Sequence, residues 1–171
     1  MNGQRRDLFR AAHVISGALT QLQMAHEVRG FDDSGGGFHF KAIDDPEPDP
    51  ARIGGLLSVG GGGTAPSPAL KLAATALLGR EEGNKIAFML TDGALDWGDQ
   101  EPSAETLAAM RRKGVLTFGL FLGVPDPATQ IALNRLYGAT GGRRNWEAIN
   151  SLDELPKKVA ARIADILNSI E

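Results

Sequence analysis

Oxygen donors gather at two places in this chain of 171 residues. Thr64 follows the glycine run 60–63, and Thr91-Asp92-Gly93 ends an apolar stretch, with Asp96 and Asp99 close behind. Hydroxyl and carboxylate oxygens are the ligands a hard cation takes, and Mg2+ or Mn2+ bound this way commonly keeps several waters. Glycines such as Gly63 allow close backbone approach, and Gly93 lets the chain turn away sharply after the acid. Other chemistry is poorly provided for. No Gly-Lys-Ser/Thr follows the glycines, so they form no nucleotide-binding P-loop. Ser16 and Ser67 lack a Gly-x-Ser-x-Gly elbow, which argues against nucleophilic hydrolysis. His13, His26 and His39 are scattered without carboxylate spacing and read as structural or surface residues. No acid, base or nucleophile stands out, so no enzymatic activity is assigned. The acids have plainer readings too, because Asp-Gly after a strand also makes turns and helix caps. Trp97 reads either as an exposed interface anchor or as a ring packed over the sheet edge.

Periodicity supplies the elements that must position these groups. Leu8, Phe9, Ala12, Ile15, Leu19 and Leu22 recur at helical spacing and predict an amphipathic helix over 4–25. Strands follow at 27–31 and 38–43, then an acidic, proline-rich loop at 44–50 and a short helix at 52–59. A helix over 66–78 starts at Ser67-Pro68. The run Ile86-Ala87-Phe88-Met89-Leu90 is a buried strand ending in Thr91-Asp92. Ser103 is expected to cap a helix running to Lys113, which Gly114 ends. Residues 115–123 then form a strand apolar enough for burial on both faces. Asp126-Pro127 opens a helix to about Tyr137, and a short strand lies near 145–148. Ser151 and Glu154 have capping-box spacing ahead of a last helix to about Asn168. Strands separated by helices define an α/β fold in one domain over 1–171: a Rossmann-like, mostly parallel sheet with helices on both faces. In such sheets ligands bind at the carboxyl ends of the strands, where Asp92 and Thr64 fall.

Composition narrows the partners. Hydrophobic residues at 42% and charged residues at 23% suit a globular core. A net charge of -3 offers no basic stripe, so nucleic acid is not expected as a partner. The chain has no cysteine, hence neither disulfides nor thiolate ligands. No stretch has the roughly 18 apolar residues of a membrane helix, and no signal-peptide core is visible, so a cytoplasmic location off the membrane is expected.

The run GGGGTAPSPALKLAATALLGREEGNKIAFMLTDGA resembles the von Willebrand factor A (vWA) domain. There, a Gly-Gly-Thr loop and a Thr/Ser-Asp-Gly strand end supply two parts of a metal-ion-dependent adhesion site, or MIDAS. With EVRGFDD and KAIDDPEPDPARIGGLLSVGGGGT added, the similarity extends over residues 2–122. It is nearest to the C-terminal vWA domain of the cobalt-chelatase T subunit and related bacterial and phage proteins. The resemblance implies a non-enzymatic interaction module. Thr64 and Asp92 would hold Mg2+ or Mn2+, with Gly63, Asp96, Trp97 and Asp99 on a rim that meets a protein partner. That partner would bring an acidic side chain to the metal, and an AAA+ ATPase of the chelatase or MoxR type is the implied example. One departure matters: the family's first central strand ends in Asp-x-Ser-x-Ser, and no such motif occurs in the sequence. Thr64 and Asp92 alone are few ligands, so the site is expected to be weak or incomplete. The family's strand order would put an unfilled place between the strands holding Val28 and Phe88. Three arrangements fit: the strand comes from elsewhere, the flanking strands pair directly in a metal-free sheet, or a second copy inserts a strand. Complementation or self-association is favoured, and the alternative function is a metal-free assembly protein.

Overall fold

A computed structural model describes residues 2–32, 37–43, 63–92, 95–140 and 142–168. The proline-rich loop, the helix expected at 52–59 and most of the glycine run lie outside the described residues, as do Gly93 and Ala94. The elements in chain order are α1 (Asn2–Gln21), β1 (Val28–Phe31), β2 (Gly37–Lys41), α2 (Ser67–Leu78), β3 (Lys85–Thr91) and α3 (Trp97–Arg112). They continue with β4 (Val115–Leu122), α4 (Pro127–Tyr137), the short strands β5 (Ala139–Thr140) and β6 (Arg143–Arg144), then β7 (Trp146–Ile149) and α5 (Leu155–Asn168).

The main sheet is parallel, in the order β3-β4-β7. β4 is buried along almost its whole length, as its unbroken apolar sequence predicts. Alternation divides its side chains between two cores. Phe118 and Leu120 face α1 and α5, meeting Ile15, Leu155 and Val159. Val115 and Phe121 face the other side, where Leu107, Met110, Leu133 and Leu136 of α3 and α4 close the layer. Helices thus cover both faces of the sheet, with α2 alongside α3 on the second. Gly119 is the one position of β4 where a side chain has no room. A Cβ there would lie 2.6 Å from Cζ of the buried Tyr137.

Helix boundaries follow local chemistry at most ends. Asp126 accepts a hydrogen bond from the Thr129 N–H at 2.7 Å, with Pro127 at the first helical position of α4. Gly114 closes α3 with φ of 82°. Two expected starts differ. α3 begins at Trp97 rather than at Ser103, and Pro102 lies inside it. A 3-10 turn, Leu152–Glu154, precedes α5. Ser151 caps that turn through Asp153 N–H, while the Glu154 carboxylate pairs with Lys158 instead of closing a capping box.

β1 and β2 form a separate antiparallel ribbon. Among the described residues no strand joins β1 to β3, so the two do not pair directly. The edges face each other across a cleft of about 650 Å³, with α1 and α2 forming its remaining walls. Hydrogen bonding defines the β3 edge. Gly119 N–H donates to Asn145 O at 2.9 Å on the β7 side, so Phe118 and Leu120 turn their backbone groups toward β3. In the observed register these pair with Ala87, Met89 and Thr91. The backbone N–H and C=O of Ile86, Phe88 and Leu90 consequently point away from β4, into the cleft.

Candidate functional site

Three segments meet at the carboxyl end of β3. The strand delivers Asp92, half-buried, just past its last residue. The segment 63–66 enters α2 and carries Thr64, also half-buried. The start of α3 supplies Asp96, Trp97 and Asp99. These pieces are stitched by backbone: the Asp96 N–H donates to the Thr64 carbonyl at 3.0 Å, and the Asp96 carbonyl accepts from the Asp99 and Gln100 N–H groups. At Gly63 a Cβ would come within 2.7 Å of the Asp96 Cγ, a contact that the exposed Asp96 side chain can relieve by rotating away. Gly63, Thr64 and Asp92 all line one cleft, the same one that separates β1 from β3.

The carboxylates differ in what they do. Asp99 Oδ2 accepts from the Ser67 N–H at 2.9 Å and from the Ser103 hydroxyl at 2.7 Å. It therefore satisfies an otherwise orphaned donor at the start of α2 and ties that helix to α3. Its oxygen is committed to holding the rim together. The Asp96 side chain makes no cap hydrogen bond and is exposed, with its carboxylate against Gly63. Beside it Trp97 is 89% exposed, so the ring stands in solvent and does not pack over the sheet edge.

Thr64 and Asp92 line the end of the cleft, where a divalent cation would meet their oxygens, while the Asp96 carboxylate lies against Gly63 on the rim. Among the described residues no three His, Cys, Asp or Glu side chains cluster as metal ligands. Mg2+ asks for six oxygens in near-octahedral array, so this donor set fits only a site whose shell is largely completed by water or by another molecule.

One pairing was not legible from spacing. Ser16 Oγ lies 2.8 Å from His26 Nε2, and His26 Nδ1 lies 2.9 Å from the Met24 carbonyl. The carbonyl can only accept, so Nδ1 carries the proton and Nε2 accepts from the Ser16 hydroxyl. Burial lowers the His26 pKa, opposed by the Met24 hydrogen bond and aided by the Lys41 charge, so the ring is neutral near pH 7. Ser16 is 1% exposed and sits mid-helix, without the exposed strand-to-helix turn that presents a nucleophile. The pair is a tie between α1 and the entry to β1. Only the fold brings the two together, since the nine intervening residues include the end of α1 and an irregular turn.

The three-layer α/β arrangement, with a parallel sheet whose carboxyl edge carries Thr64 and Asp92, is a vWA-like fold. Solved structures agree. The chain superposes on the pilus adhesin SpaC from Lactobacillus rhamnosus GG with a TM-score of 0.64 at 14% identity, covering 95% of this chain and 28% of the adhesin. It superposes on proximal thread matrix protein 1 from the mussel byssus with a TM-score of 0.60 at 18% identity, covering 94% of this chain and 41% of that one. A further structure of the mussel protein has a zinc-occupied MIDAS motif, with a TM-score of 0.58 at 16% identity and the same coverage. The chain thus spans well under half the length of each. At these identities the likeness is one of fold, and it does not reach the cobalt-chelatase branch. No family model and no curated protein matches the sequence. No described helix is long and apolar enough to cross a membrane.

Proposed function

We propose that the chain is a non-enzymatic interaction module that meets a protein partner at the rim where β3 ends. The observation that carries this reading is Trp97, an 89% exposed indole beside the exposed Asp96, on a helix start pinned to the Thr64 loop. Large exposed aromatics on a rigid support are the usual anchors of protein interfaces. Thr64 and Asp92 hold Mg2+ or Mn2+ weakly in this reading, and an acidic side chain of the partner completes the shell. The zinc-occupied motif of the mussel protein supports a divalent ion as the bridging group. The more specific form, a cytoplasmic adaptor for an AAA+ ATPase, is supported by the chelatase-like sequence resemblance alone. Magnesium-dependent retention of such an ATPase tests it.

The experiment for the rim is calorimetric titration of Mg2+ and Mn2+ into the chain and its Asp92→Ala variant, with Trp97 fluorescence followed in parallel. Micromolar to low-millimolar binding that Asp92→Ala abolishes is the expected result. Absence of heat in both proteins removes the metal-bridged reading. It favours the second reading, a metal-free assembly module, which the open sheet edges among the described residues support.

A further inference from the structure

We propose that the cleft between β1 and β3 is a receptor for an extended apolar strand of another polypeptide, which would join the ribbon and the main sheet into one sheet in the order β2-β1-guest-β3-β4-β7. The walls specify the guest. Two sides of the cleft are strand edges, and on one of them the N–H and C=O of Ile86, Phe88 and Leu90 face inward. Backbone groups along an open strand edge are a template for pairing, and an apolar small molecule offers no partners in a row at strand spacing. A peptide backbone offers them on both of its sides, which is the chemistry of strand addition to a sheet edge. The other two sides are apolar helix faces, represented by Ala12 and Ile15 of α1 and by Leu70 and Ala73 of α2. A guest between them is covered on both faces, so its residues are apolar throughout and do not alternate. Small residues at Ala12 and Ala73 leave room for its side chains. Length follows from β3, which spans seven residues, Lys85–Thr91. Ile86, Phe88 and Leu90 are only half-buried although apolar and central, so the guest also completes their burial. None of the groups that would hold the guest is a cation ligand, although Thr64 and Asp92 line the same cleft at its rim.

The probe is a fluorescein-labelled peptide of seven valines and isoleucines flanked by lysines, with an analogue N-methylated at alternate residues. The two carry the same side chains but differ in backbone donors. Expected results are saturable binding insensitive to EDTA, weakened at least tenfold by N-methylation and by Ala73→Phe, which fills the cleft. In amide exchange by NMR, Ile86, Phe88 and Leu90 gain protection on adding the peptide, while Ala87 and Met89, already paired to β4, change little. Should Ala73→Phe fail to fold, the methylated analogue and the exchange pattern still decide. A self-associated form of the chain that the peptide dissociates supports the receptor with a second copy as the natural guest. Equal binding of both peptides, or no binding at all, overturns the proposal.

Discussion

A single missing side chain shapes the centre of the molecule at Gly119. The Tyr137 ring occupies the space a Cβ would need, and Tyr137 is 1% exposed with neighbours on every side. Such a ring cannot swing aside as a surface carboxylate can. Gly119→Ala is therefore expected to destabilise the fold by about 1–3 kcal/mol, the usual cost of overpacking, read as a lower urea midpoint. A loss under about 0.5 kcal/mol would show that the ring relocates freely. The same ring carries a hydroxyl with no hydrogen-bond partner among the described residues, and burial raises its pKa. Nothing in the sequence around Tyr137 announces this contact, because Gly119 and Tyr137 are brought together only by packing α4 on β4. The placement of Asp92 and Thr64 at the carboxyl edge of the sheet was legible, since a strand-end acid and a glycine loop ahead of a helix carry local signals. The division of labour between Asp96 and Asp99 was not, because it depends on where α3 begins.

Elements whose ends are fixed locally were readable, and those fixed by distant contacts were not. Asp126-Pro127 and Gly114 mark helix ends within their own few residues. α3 starts earlier than its sequence suggests, despite Pro102. Its first turns are held from outside by Asp99 on Ser67 and by the Glu101–Arg135 ion pair. Tertiary contacts here override the local cost of proline inside a helix. The Ser16–His26 tie between α1 and β1 carries a pH prediction. In the unfolded chain His26 takes a proton as pH falls through about 6.5, whereas the folded site resists it. Stability contributed by the neutral ring is thus present above pH 6.5 and lost as pH drops below it. The urea midpoint is expected to fall more between pH 7 and pH 5 in the native chain than in His26→Gln. Parallel declines in the two proteins would refute a role for this residue.

For the whole molecule, the α/β class and the parallel sheet were legible from the order of elements, whereas the unfilled place beside β3 was what the vWA resemblance implied. The sequence did not disclose that β1 and β2 would stand as a ribbon of their own, because strand pairing across a vacant position is a global choice. An isolated two-stranded ribbon is marginal in water, and this one depends on α2 for support. β4, by contrast, is paired on both sides. Native-state amide exchange is expected to show Gly30 opening at a lower free energy than Phe118 and Leu120. A common value for all three would mean a single cooperative unit. The expected difference gives the open cleft a thermodynamic meaning, as a seam in the cooperativity of the molecule. A strand laid into it would act less as a cargo than as a weld, turning two separately melting parts into one body that unfolds all at once.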